Sequence, residues 1–191
     1  MDTPDVVRTP TPAEERLITG EELARMSGVE SAELVEGRLV KKMPTGDEHG
    51  AVEIAIAAAL HNHVRIAKTG KVRSGEVGIY TRRNPDTTRA ADVLYISNER
   101  YSQRSSSAFL DVSPAIIVEI LSPGDSMPEV LQKLREYFAI GVVLVWLIDP
   151  TSKTVLVYRS LTNVRELTVN DELTGEDVLP GFVMKVAELF E

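Results

Sequence analysis

The sequence predicts one α/β (α+β) domain, a mixed sheet with a parallel βαβ crossover at its centre and helices flanking it. Three observations predict this. Two apolar runs, IIVEIL at 116–121 and VVLVWLI at 142–148, read as strands buried on both faces. The amphipathic stretch MPEVLQKLREYF lies between them, as a right-handed crossover requires. Elsewhere, short runs alternate apolar and polar residues, the period of half-buried strands joined in hairpins.

The elements follow in order. Residues 1–18, rich in Pro and Thr, read as a flexible lead-in, and 19–191 as the domain. TGEELARMS at 19–27 predicts a short helix, with Thr19 as N-cap and Glu22 at the capping-box position. AELVEGRLVKKMP predicts a hairpin turning at Glu36-Gly37 and ending near Pro44. Asp47 to about Ala67 is alanine-rich and helical, with His49, Val52, Ile56, Leu60 and His63 on one face and Gly70 as its stop. KVRSGEVGIYT predicts a strand, RNPDTTR a polar turn, ADVLYIS a strand from Ala91 to Ser97, and NERYSQRSSS a loop. After the buried strand, SPGDS turns, and Pro128 suits the first turn of a helix that stops at Gly141. TVLVYRS and VRELTV predict a further hairpin, and LPGFVMKVAELFE a short strand with a helical turn.

Composition narrows the function classes. The 191 residues contain no cysteine, which excludes disulfides, thiolate metal sites and a thiol nucleophile, and fits a reducing cytoplasm. No apolar run reaches membrane-spanning length, and the N-terminus lacks the pattern of a signal peptide. The net charge of −8 argues against a general nucleic-acid coat protein. Yet Arg38 to Arg104 carries 12 Lys and Arg against 7 Asp and Glu, so the middle of the chain can present a basic surface on an acidic body.

Three residues form a chemical set. Asp92 opens an apolar strand, and Glu119 sits inside another, where a carboxylate is costly without compensation. Lys133 borders the apolar stripe of Val130, Leu131, Leu134, Tyr137 and Phe138, so it can lay its stem on the sheet and reach a strand-end carboxylate. The competing reading of Lys133 is a surface ion pair with Glu129 or Glu136. Two carboxylates and a lysine are the minimum for phosphodiester hydrolysis assisted by Mg²⁺ or Mn²⁺. His49 and Glu53 share a helix face at i and i+4. A metal centre combining His49, Glu53 and His63 fails on distance, since His49 and His63 stand about 21 Å apart along a helix.

These residues, in the segments ELVEGRLVKKMP, ADVLYIS, PAIIVEILSPGDS, QKLREYFAIGVVLVWLIDP and LPGF, and with a helix beginning at His49, resemble the Uma-two family. Its members are restriction-endonuclease-like proteins of the PD-(D/E)XK nuclease superfamily. The resemblance runs from about Ala32 to Phe190. It implies that Asp92 and Glu119 hold a metal ion, that Lys133 replaces the lysine whose usual place is taken by Leu121, and that Glu33 and His49 belong to the site. Ala91 stands where the superfamily has proline, and Gly124 and Glu129 replace the family's frequent Ser and Asp. The resulting expectation is a metal-dependent endonuclease acting on nucleic acid, DNA first, as a homodimer with one active site per strand. Lys71, Arg73, Arg82, Arg83 and Arg89 flank the strands near Asp92 and are the expected phosphate contacts. The alternative is a nuclease fold without catalysis, serving as a nucleic-acid-binding or assembly module.

Overall fold

The structure, a computed structural model, describes residues 16–29 and 32–191. Most of the expected lead-in therefore lies outside the described residues. The chain runs α1 (Gly20–Leu23), β1 (Ala32–Val35), β2 (Arg38–Lys41), α2 (Asp47–Ala67), β3 (Gly70–Arg82), β4 (Thr87–Ser97), α3 (Asn98–Ser102), β5 (Ile116–Ile120), α4 (Met127–Ala139), β6 (Leu144–Asp149), β7 (Thr154–Ser160), β8 (Asn163–Leu167), β9 (Glu172–Thr174) and β10 (Val183–Lys185). A 3₁₀ turn, Val186–Leu189, follows β10.

The main sheet has the order β2-β1-β4-β5-β6-β7-β8, with β3 also paired to β4. Among the named strands of the described residues only β5 and β6 pair in parallel, with α4 as the crossover between them, as the two apolar runs predict. Strand alternation divides the core into two layers. Val93, Tyr95, Ile116, Val118, Leu144 and Trp146 pack with Val52, Ile56 and Leu60 of α2. Leu94, Ile96, Ile117, Val145 and Leu147 pack with Val130, Leu134 and Tyr137 of α4. The β9–β10 ribbon supplies Leu173 and Met184 to the α2 side.

Local chemistry explains the boundaries. Thr19 and Glu22 form the expected capping box on α1. The β1–β2 turn places Glu36 and Gly37 at φ 52° and 76°, the paired positive values of a tight hairpin turn. Three boundaries differ from the sequence reading. The end of α2 falls on Lys68, in left-handed conformation, whereas Gly70 begins β3, where an added Cβ would meet the Ile96 carbonyl oxygen at 2.1 Å. NERYS forms α3, capped by the Ser97 hydroxyl. β4 begins at Thr87, because the Thr87 and Thr88 hydroxyls accept from Glu36 N and Leu34 N, which lets polar residues occupy a buried strand.

Candidate active site

The site lies at a fork in the sheet. β3 runs along one edge of β4, while β1 and β5 share the other. β1 pairs at Thr88 and β5 from Val93 to Tyr95. Residues 89–92 of β4 span the gap, and two carboxylates replace ladder bonds there. Glu33 of β1 accepts from Ala90 N at 3.1 Å, and Asp92 accepts from Ile120 N of β5 at 2.7 Å. Acidic residues buried in a sheet are thus tied to main-chain N–H groups that the diverging strands leave unpaired.

Continuing the antiparallel register of β4 and β5 by one residue sets Asp92 opposite Glu119. His49, in the first turn of α2, places Nε2 at 3.3 Å from Asp92 Oδ2. That hydrogen bond raises the imidazole pKa above its ordinary value, against the effect of burial. Its Nδ1 is buried without a hydrogen-bond partner.

Glu119 is held from α4 at both oxygens. Lys133 Nζ donates to Oε2 at 2.7 Å and the Tyr137 hydroxyl to Oε1 at 2.5 Å. The two donors are four residues apart and so share a helix face. Burial lifts the Glu119 carboxyl above its usual range; Lys133 pulls it down, and the neighbouring Asp92 charge lifts it further. Burial works against the Lys133 ammonium too, but Glu119 and Glu33 hold it protonated beyond the ordinary lysine range. The Tyr137 hydroxyl is pushed well up by burial and by the Glu119 charge, so it remains a donor.

Glu33 is 1% exposed and sits among three cations. Its Oε2 accepts from Arg89 at 3.0 Å, and its Oε1 lies 3.6 Å from Lys133 and 3.8 Å from Lys42. Burial alone would lift its carboxyl, but the Lys133 and Lys42 charges, the Ala90 N–H and Arg89 outweigh it and hold the pKa low. Arg89 also grips Glu136 in a two-pronged contact, Nε to Oε2 at 2.6 Å and Nη2 to Oε1 at 2.7 Å.

The structure therefore brings Asp92, Glu119, Lys133, Glu33 and His49 together. Lys133 makes neither of the surface pairs that the competing reading offered it: Glu129 accepts from Ser126, and Glu136 from Arg89. Glu53 accepts from Gly75 N, and His63 packs edge-on against Phe182. The five expected phosphate contacts do not gather. Lys71 and Arg82 stand near opposite ends of β3, about 30 Å apart along the nine steps of β4 between their partners Ile96 and Thr87. Arg82 pairs with Glu36, and Arg83 with Glu21 and Asp86. Arg89 is not a phosphate contact: it is 8% exposed and engaged by two carboxylates, which leaves no face for a phosphate. Tyr137, Glu136 and Lys42 join this cluster, and the sequence does not mark any of them as a candidate. The Tyr137 spacing from Lys133 was the available signal for the first. A polar cleft of about 690 Å³, bounded by Tyr80, Arg83, Ser105 and Ile140, contains none of the five site residues.

Among the described residues no group of three or more His, Asp or Glu side chains is arranged to enclose a cation. A hard divalent ion needs less, since Mg²⁺ commonly takes one or two carboxylates and fills the rest with water and substrate oxygens. Asp92 and Glu119 are such a set. The donor set thus fits a divalent cation.

The family Uma2, described as "Putative restriction endonuclease", matches residues 21–187. A crystal structure described as "a putative nuclease belonging to DUF820", from Anabaena variabilis ATCC 29413, matches with TM-score 0.75 at 21% identity. The match covers 91% of this chain and 97% of that one, and it establishes the shared fold. No curated protein matches. The chain belongs to the Uma2 family.

Proposed function

We propose that this Uma2 family member is a Mg²⁺- or Mn²⁺-dependent endonuclease that hydrolyses phosphodiester bonds of nucleic acid, with DNA as the expected substrate. The observation that carries the reading is the meeting of Asp92 and Glu119 at the sheet fork, with the Lys133 ammonium 2.7 Å from Glu119. Asp92 and Glu119 are the residues to hold the ion. When bound, such an ion lowers the pKa of a coordinated water and neutralises charge on the scissile phosphate.

The chain's own groups prepare the remainder. Tyr137 fixes the Glu119 carboxylate, and Ile120 N–H and His49 fix that of Asp92. Lys133 offers an ammonium to orient the attacking water and to meet charge developing on the phosphate. Lys42 is the cation of the cluster that solvent reaches most readily, with its side chain 32% exposed, so it is suited to the incoming phosphate. Lys71 and Arg73 near one end of β3, and Arg82 and Arg83 at and just beyond its other end, are exposed candidates for separate backbone contacts. Cutting both strands of a duplex calls for two copies of the chain related by a two-fold axis.

The test is incubation of the purified protein with single- and double-stranded DNA and RNA plus Mg²⁺ or Mn²⁺. Cleavage that depends on the ion, and that disappears in folded Glu119→Ala and Lys133→Ala proteins, is the expected result. Equal cleavage by parent and variants would reject the site. The direct Glu119–Lys133 contact also suits a non-catalytic nucleic-acid-binding module, in which the lysine takes the place of the ion. That reading expects nucleic-acid binding without cleavage and without uptake of Mn²⁺.

A further inference from the structure

Four residues form a closed ring that begins and ends on α4. Lys133 Nζ lies 3.6 Å from Glu33 Oε1 on β1. Glu33 Oε2 accepts from Arg89 Nη1 on β4 at 3.0 Å. Arg89 returns to the helix through its paired bonds of 2.6 and 2.7 Å to Glu136, about one turn beyond Lys133. Glu136 is itself held by Thr81 Oγ1 and Gln132 Nε2, each at 3.1 Å.

We propose that Arg89 is a positioning residue, which, gripped by Glu136, fixes Glu33 so that Glu33 fixes the ammonium of Lys133. A lysine is a compact charge on a flexible stem with three rotatable donors. Its bond to Glu119 sets one direction and leaves the stem free to swing about it. A second carboxylate on a different strand removes that freedom, provided the carboxylate is itself immobile. Glu33 is immobile because Ala90 N–H holds one oxygen and the Arg89 fork the other. A lysine at 89 cannot reproduce this, because it lacks the planar fork that grips Glu136 and Glu33 together. The effect on rate rests on the nuclease reading; the effect on Lys133 itself does not.

The experiment compares the full-length parent with Arg89→Lys and Glu136→Gln, using Val145→Ala as a control. Val145 is fully buried on the same sheet face but outside the ring, so its truncation loosens the core without touching the network. A water-soluble amine-acylating reagent is applied, and labelling of the Lys133 and Lys71 peptides is followed by mass spectrometry. Arg89→Lys and Glu136→Gln are expected to speed Lys133 labelling about tenfold, with Lys71 unchanged and Val145→Ala near the parent. With Mn²⁺ and an oligonucleotide, kcat should fall about 10–100-fold, the range for residues supporting a site from behind, with KM within about twofold. Unchanged Lys133 labelling, or equal acceleration in Val145→Ala, overturns the proposal. A parent that cuts none of the nucleic acids counts against the nuclease reading alone, because the labelling comparison still decides the role of Arg89.

Discussion

Replacing Lys133 by Met tests the electrostatics of the fork without greatly changing its volume. In the parent the ammonium serves Glu119 at 2.7 Å and Glu33 at 3.6 Å, and its own side chain is 15% exposed. Removing one partner of a buried pair costs about 3–5 kcal/mol, because the other charge is left uncompensated. For a chain of this size about 1 kcal/mol corresponds to 2–4 °C in Tm, so the loss should be on the order of 6–20 °C. The loss must depend on pH. Glu119 already has a folded pKa raised above 4.5 by burial, and removing Lys133 raises it further. A carboxyl with a raised folded pKa costs stability above that pKa and releases the cost as it protonates. The variant should therefore lag most near pH 8 and recover relative to the parent as pH falls through the Glu119 value. A Lys133→Met, Glu119→Leu double variant should regain part of the loss, since the Glu119 charge is gone and Glu33 keeps Arg89 and Lys42, while the Tyr137 hydroxyl loses its acceptor. Thermal melts across this pH range are the assay. A Tm deficit of the same size at every pH, or none at all, would refute the reasoning.

The other predictions draw on the same cluster. Tyr137→Phe removes a hydrogen bond to a charged acceptor and should cost about 1.5–3 kcal/mol in urea unfolding, while leaving a native fold. The Glu33 and Glu136 carboxyls are held below 4.5, so the stability they contribute is present above the unfolded value and lost as pH falls through the folded one. Urea midpoints should drop on acidification below about pH 5, and Glu136→Gln should flatten part of that drop. Lys42→Ala should weaken oligonucleotide binding by the Glu119→Ala protein and reduce the slope of log affinity against log salt by about 1, read by fluorescence anisotropy.

Much of this fold is legible in the sequence because its strongest signals are local. The apolar runs around Ile117 and Trp146, separated by an amphipathic helix, leave few arrangements other than the parallel pair that β5 and β6 form. Glu119 and Lys133 were legible in part, since a lysine at the margin of the crossover helix can reach an acid in the strand before it, although the same position also offered Glu129 and Glu136 as partners. What the sequence hid depends on long-range partners. Arg89 follows two threonines and reads as a surface cation. Its burial comes from Glu33 on a strand far earlier in the chain and from Glu136, which looked solvated. The polar start of β4 was hidden likewise, because its threonine hydroxyls bond to the backbone of β1. Tyr137 reads as core and is core, but the destination of its hydroxyl cannot be found without Glu119 in view.

The proposed function has the acids of the sheet fork bind a divalent cation beside Lys133. Calorimetric titration with Mn²⁺ tests it most directly. Saturable binding by the parent, weakened at least tenfold in folded Asp92→Asn and Glu119→Ala proteins, is expected. A folded parent that takes up no Mn²⁺ at millimolar concentration, or variants that bind it as well as the parent does, would contradict it.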